Sequence, residues 1–355
     1  MIKPKTFIPV DVVFHPSWWH HHYGISFRES FFFDPETRIS AESAMRRALA
    51  ERFGDLGLGD PDPKPKPIVG PVHLAAGFIT AEMLGCDVNF FDDASPEVVP
   101  RNLTEDELAG FQPPDLDRSP RFNDFVKLMD SLEARFGRIE GDINWAGIHN
   151  DAVNLRGQEW FLDYYSNPRL VERTLDLLRD FAIDFVSHLR RRTGTSSLSV
   201  NRIIDGIEPG INLHSNCTVT MISPEIYRQF LLPRELELCQ ALSPYGIHHC
   251  GTNMHVYAAD YARVTEAVFF DVGWGSDLAQ CRRDLPDRIL SLRLGPAWLA
   301  RSSVEEIIET VTGMLSRAGD PELAAVCAVN LDRDTSDDNV RAVFEAVQQF
   351  RQKGA

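Results

Sequence analysis

The run Tyr245-Gly246-Ile247-His248-His249-Cys250-Gly251-Thr252-Asn253 concentrates the side chains best suited to chemistry. It reads as a β-type segment that ends in His-His-Cys and breaks at Gly251. Side chains alternate along a strand, so His248 and Cys250 share one face and His249 points to the other. One imidazole and one thiolate then project together from the strand's C-terminal end. Zinc favours that combination, and a catalytic zinc site takes three protein ligands and keeps one position open. The third ligand must come from another strand end. Cys327 closes the run Leu323-Ala324-Ala325-Val326-Cys327 and is a candidate. A free cysteine there is as readily a buried small hydrophobe.

Other residues stand where chemistry is possible. Asp271 ends the run Val268-Phe269-Phe270-Asp271, and Asp205 follows another β-type run. Either can hydrogen-bond a reactant or orient a metal ligand, and either can equally serve as a structural carboxylate. Trp18, Trp19, His20, His21, His22 and Tyr23 form a dense aromatic and imidazole block. It reads as an aromatic-lined substrate pocket or, alternatively, as a plug or an interface patch.

These groups need a scaffold. Strand-like runs cover Gly141–Trp145, Ser197–Ile203, Gly246–Cys250, Val268–Val272, Ile289–Leu294 and Leu323–Cys327. Helical periodicity fills the intervals. The longest such stretch is Asn167–Thr193, with Pro168 in its first turn and Gly194 closing it. Ser223-Pro224, Ser302-Ser303 and Ser336-Asp337-Asp338 open further helices, with serine caps and early carboxylates. Alternating β and α units imply a parallel sheet. At 355 residues, with no Gly-x-Gly-x-x-Gly after any strand, a closed (β/α)8 TIM barrel is expected over an open doubly wound sheet. Catalytic side chains of such barrels sit at the C-terminal strand ends. One domain is expected over residues 1–355, with an N-terminal extension over about 1–70. The alternate prolines from Pro61 to Pro67 form a surface loop within it.

Composition narrows the partners. Asp and Glu outnumber Lys and Arg by 52 to 36, giving a net charge of −16. That balance opposes binding to phosphate backbones and anionic membranes. No stretch approaches the ~20 apolar residues of a membrane span. The N-terminal residues carry no signal-peptide pattern, and the 6 cysteines are scattered, so a cytoplasmic protein with reduced thiols is expected.

The His-x-Cys strand end followed by Gly, with a later Cys327, resembles the zinc motif of methylcobamide:coenzyme M methyltransferases, members of the uroporphyrinogen decarboxylase superfamily. Asn154-Leu155-Arg156-Gly157 leading into Trp160-Phe161-Leu162-Asp163 is similar to the same superfamily. So are Met221-Ile222-Ser223-Pro224-Glu225-Ile226-Tyr227 with Pro233 downstream, and Asp338-Asn339 before the last helix. The resemblance implies a (β/α)8 barrel with His248, Cys250 and Cys327 as zinc ligands. Two departures stand out. Cys327 is followed by Ala328 where the family usually has Gly. The N-terminal segment Phe14–Tyr23 also lacks the arginine signature that binds porphyrinogen carboxylates, which disfavours porphyrinogen decarboxylation.

His214-Ser215-Asn216-Cys217 resembles the matching segment of the superfamily's O-demethylase-type members. The His-His-Cys-Gly run and Asp271-Val272-Gly273-Trp274-Gly275-Ser276-Asp277 do so too. On that resemblance Cys217 is the reserve third ligand, and His214 and Asn216 join Trp18, Trp19, His20 and Tyr23 as candidate substrate contacts. The implied function is zinc-dependent methyl transfer between a small molecule, best an aryl methyl ether, and the cobalamin of a separate corrinoid protein. No Asp-x-His-x-x-Gly corrinoid signature occurs in the chain itself. A thiol methyltransferase using the same ligands and a metal-free decarboxylase-like enzyme are the alternatives, and a non-catalytic barrel is the third. The protein is expected as a monomer or homodimer.

Overall fold

A computed structural model of the chain describes residues 2–68, 77–140, 145–193 and 203–354. Six strands form one sheet: β1 (Val10–Phe14), β4 (Asn212–Ser215), β5 (Tyr245–His249), β6 (Ala267–Val272), β7 (Ile289–Leu294) and β8 (Ala324–Leu331). They lie in the order β1-β8-β7-β6-β5-β4, and every neighbouring pair is parallel. Two short strands, β2 (Asp87–Asn89) and β3 (Glu97–Val99), make a separate antiparallel ribbon. The strands of the main sheet are almost wholly buried, as expected where both faces of a parallel sheet are covered.

Four of the strand-like runs match β5 to β8 to within a few residues. The other two fall elsewhere. Residues 141–144 and 197–202 lie outside the described residues, Trp145 belongs to no strand, and Ile203 opens a 3-10 turn through Gly206. Gly194 is also outside them. A parallel bridge joins Ile68 to Glu140. What is described is therefore a curled six-stranded parallel sheet. The segment expected as an N-terminal extension supplies β1 to it.

The helices follow their sequence signals. Pro168–Thr193 runs 26 residues and buries Leu170, Val171, Leu175, Leu178, Phe185 and Leu189, one stripe at three- and four-residue spacing. Ser303 caps Val304–Arg317 in a full capping box with Glu306. The helix expected from Ser223 starts at Pro224 with the Ser223 hydroxyl as its cap. It passes through a π-helical stretch at Tyr227–Leu231 and resumes as Leu232–Leu242. Pro233 in that resumed turn has no N–H to donate and its ring crowds the preceding turn, which the widened π turn accommodates. Among the described residues no helix is long and apolar enough to cross a membrane.

The two faces of the sheet differ. The helix-facing side carries Ile247, Phe270, Leu290, Leu292, Val326 and Ala328 in the main core. On the inner side, Ile203, Ile204, Ile207, Ile211, Leu213, Phe269, Ile289 and Leu323 build a smaller apolar plug near the strands' N-terminal ends. Above it the inner face turns polar. Backbone register sets Ser215, His248, Asp271 and Ser291 in one row across four strands, and Arg293, Cys327 and Asp11 in another across three.

Candidate metal centre

Three side chains meet where β4 and β5 end. A ligand atom from each of Cys217, His248 and Cys250 lies within 4.8 Å of the other two. His248 and Cys250 share a face by strand alternation, and the register Ser215↔His248 brings the end of β4 alongside. Asn216 N donates to His248 O at 2.8 Å and extends the pairing one step further. Cys217 sits on the turn beyond. That turn is clamped by Asn150: its Nδ2 donates to Ser215 O (3.0 Å), and its Oδ1 accepts from Thr218 N (3.0 Å) and Thr218 Oγ1 (2.7 Å). Gly273, after β6, presses its backbone against Cys250; a Cβ there would lie 2.7 Å from Cys250 C.

The electrostatics favour a metal-ready thiolate. The Cys250 thiol is held well below its ordinary pKa, first by the hydrogen bond from Cys217 and then by His248 and Arg293. Cys217 is correspondingly pushed up, because it is the member of the pair that keeps the proton and because it is buried. Burial and the Arg293 charge work against a proton on His248, but hydrogen bonds to Asp271 and Cys250 outweigh them and raise its pKa. Asp271 is fully buried and accepts from His248 Nδ1 at 2.8 Å. That bond fixes the tautomer and turns Nε2 outward, the usual arrangement behind a metal-binding histidine. Arg293, from β7, rests against the His248 ring, with Nη1 2.8 Å from Nε2 and 3.3 Å from Nδ1. His249 faces away, as alternation requires, bonded to Tyr261 Oη and Asn253.

Cys327 is elsewhere. It lies in the apolar plug with no exposure, 3.3 Å from Ser291 Oγ, and burial pushes its thiol pKa up. It is not part of the cluster among the described residues. The expectation that Cys327 supplies the third ligand gives way to Cys217, because β6 and β7 lie between β8 and β5, whereas β4 pairs directly with β5 and leads into Cys217.

Asp205 also departs from expectation. It is exposed, on the 3-10 turn that precedes β4, beside Ile203, Ile204 and Ile207, which pack with Ile289 and Leu323 at the N-terminal ends of β7 and β8. That is the end of the sheet remote from Cys217 and Cys250, so a catalytic role beside them does not fit its position. Trp18 and Trp19 have no exposure and pack with Phe14 and Phe53 in the main core, not in an open pocket. His20 and Tyr23, at the end of the same helix Pro16–Tyr23, reach the surface. His214 and Asn216 are buried and committed to structure. His214 Nε2 accepts from Ile148 N (3.1 Å), its Nδ1 bonds Glu235 (2.9 Å), and Asn216 Nδ2 donates to the other Glu235 oxygen (2.7 Å). Their polar atoms hold the β4 end in place instead of reaching a substrate.

Arg293, Asn150 and Glu235 were not anticipated from sequence. The single charged residue of the run Ile289–Leu294 was a usable signal, since a charge seldom enters a buried strand without purpose. Asn150 and Glu235 lie on helices, and no spacing rule links them to the cysteine turn.

Two comparisons bear on this arrangement. The fold is similar to that of a methyltransferase from Methanosarcina mazei: TM-score 0.65, 17% identity, over 97% of this chain and 94% of that one. Likeness at that identity speaks for the fold. No curated protein sequence matches the chain. The family model for uroporphyrinogen decarboxylase (URO-D) matches residues 75–350, a span that takes in strands β2 to β8 and all three clustered ligands, so the chain belongs to the uroporphyrinogen decarboxylase family.

Proposed function

We propose that this protein is a zinc-dependent methyltransferase moving a methyl group between a small molecule and the cobalamin of a separate corrinoid protein, on a (β/α)8 barrel. The observation that carries the reading is the convergence of Cys217, His248 and Cys250 at adjacent strand ends. Two thiolates and an imidazole suit zinc, and three ligands leave a fourth position for a reactant. The residues present fit the ion. Bound there, zinc would supply Lewis acidity to an ether oxygen or lower the pKa of a thiol.

The chain's own groups do the rest. Cys250 already favours the thiolate, Cys217 would supply the second sulfur, and Asp271 keeps His248 Nε2 presented. Arg293 stays beside that ring as a cation. An aryl methyl ether is the best reading of the small molecule, supported by the His-His-Cys-Gly resemblance; the aromatic block no longer adds to it, since Trp18 and Trp19 are core residues. Metal analysis of the purified protein tests the site, with about one equivalent of zinc expected. Phenol release from a methoxyarene in the presence of reduced corrinoid protein tests the reaction. An unchanged rate in Cys250→Ala would overturn the mechanism.

A further inference from the structure

We propose that Arg293 is the receptor for an anionic oxygen on the reactant that binds beside the metal, and so a specificity-determining residue of the site. The inference rests on the zinc reading above. Arg293 stands on the inner face of β7, in register with Cys327, and its Nη1 lies 2.8 Å from His248 Nε2 and 3.3 Å from Nδ1. Among the described residues no other hydrogen-bond acceptor meets it. Nη1 lies close to both ring nitrogens, so it sits against the ring face and not along the Nε2 lone pair that a metal would take. The guanidinium would therefore remain beside the three-ligand cluster as a cation when an ion is bound.

An arginine stays charged at every accessible pH, and a half-buried cation without an acceptor is costly. Asp271 is tied to His248, and the two thiolates would be bound to the ion and are weak acceptors. A reactant bearing a carboxylate, sulfonate or phenolate oxygen fills the need, and the planar guanidinium offers two parallel donors to it. The site then selects anionic reactants over neutral ones of the same shape, and places the oxyanion on the β7 side of the metal.

The test uses the full chain loaded with Co2+ as a spectroscopic substitute, with benzoate and benzamide as probes. Metal content and affinity are measured first for wild type, Arg293→Met and Arg293→Lys by chelator competition. Arg293→Met is expected to hold the metal at least as tightly as wild type, because a positive charge beside the ion has gone. Benzoate, followed by calorimetry and by the cobalt spectrum, is expected to bind wild type at least about tenfold more tightly than Arg293→Met, the loss typical of one charged hydrogen bond. Benzamide should not distinguish them, and Arg293→Lys should recover part of the benzoate affinity. Equal benzoate affinity in metal-loaded wild type and Arg293→Met overturns the proposal while leaving the metal site intact. If neither protein takes up metal, the zinc reading fails at the first measurement and the proposal falls with it.

Discussion

The Asp271 carboxylate meets Nδ1 of His248 at 2.8 Å across the adjacent strands β6 and β5, and neither side chain has appreciable exposure. Burial alone would disfavour its charge, yet the hydrogen bond and charge of His248 hold Asp271 below the usual carboxylate range. The pair therefore exists as a carboxylate and a bound ring, and the ring cannot turn without breaking a buried charged bond. Asp271→Asn keeps the shape and removes the charge. Metal affinity is expected to fall about 10- to 100-fold, the usual effect of losing such a partner. Chelator competition measures it; an affinity equal to wild type would mean that the carboxylate does not orient the ligand.

Cys217 and Cys327 make opposite predictions. Cys217→Ala should abolish stoichiometric metal binding, because its thiol closes the three-ligand set. Cys327→Ala should retain the metal and lose about 1 kcal/mol of stability, from a small buried group removed from the apolar plug. Elemental analysis and urea unfolding of the two variants decide between them. Metal loss in Cys327→Ala with retention in Cys217→Ala would restore the later cysteine as ligand.

That contrast shows where the sequence was readable. Strand alternation placed His248 with Cys250 and turned His249 away, because period-two geometry is local and survives any tertiary context. The helices from Ser223, Ser303 and Pro168 were equally local, since caps and proline positions act within one turn. Which strand end supplies the third ligand depends on which strand lies beside β5, and nothing near Cys217 or Cys327 announced that β4 pairs with β5 while β6 and β7 separate it from β8. The Trp18–Trp19 block failed for a related reason. Rings suited to a pocket are equally suited to a core, and only the partners Phe14 and Phe53, far apart in sequence, decide between them.

Two buried groups on the helix Ile148–Arg156 give a pH prediction. Burial pushes Asp151 up from 3.8 to about 7 and His149 down from 6.5 to about 3. Between about pH 4 and 7 the folded protein keeps a proton on Asp151 that the unfolded chain has lost. The contribution of Asp151 to stability is thus full at low pH and declines as pH rises to 7. His149 has the opposite sign: its contribution is full above 6.5 and is lost as pH falls toward 3. Each slope is about 1.4 kcal/mol per pH unit, so the two oppose each other across the overlap. Asp151→Asn removes one of them. Relative to wild type, the variant should gain stability as pH rises from about 4 to 7, read by urea unfolding at a series of pH values. A pH-independent difference would show that Asp151 is ionised in the folded state.

The position of Cys250 depends on a glycine it touches through backbone alone. A Cβ on Gly273 would lie 2.0 Å from Gly251 O and 2.7 Å from Cys250 C. Overlap with backbone cannot be relieved by a side-chain rotation, so the end of β5 or the start of the loop after β6 must move. Gly273→Ala is expected to cost about 1–3 kcal/mol, as forced overpacking does, and to weaken metal binding because Cys250 moves with the strand end. Gly206→Ala is the control: a Cβ there meets nothing within 4 Å, and it should leave both properties unchanged. Thermal or urea unfolding and metal stoichiometry are read on both variants. Normal metal binding in a destabilised Gly273→Ala would place the movement on the β6 side and free Cys250 from this contact; wild-type values for both would show that the backbone there yields without strain.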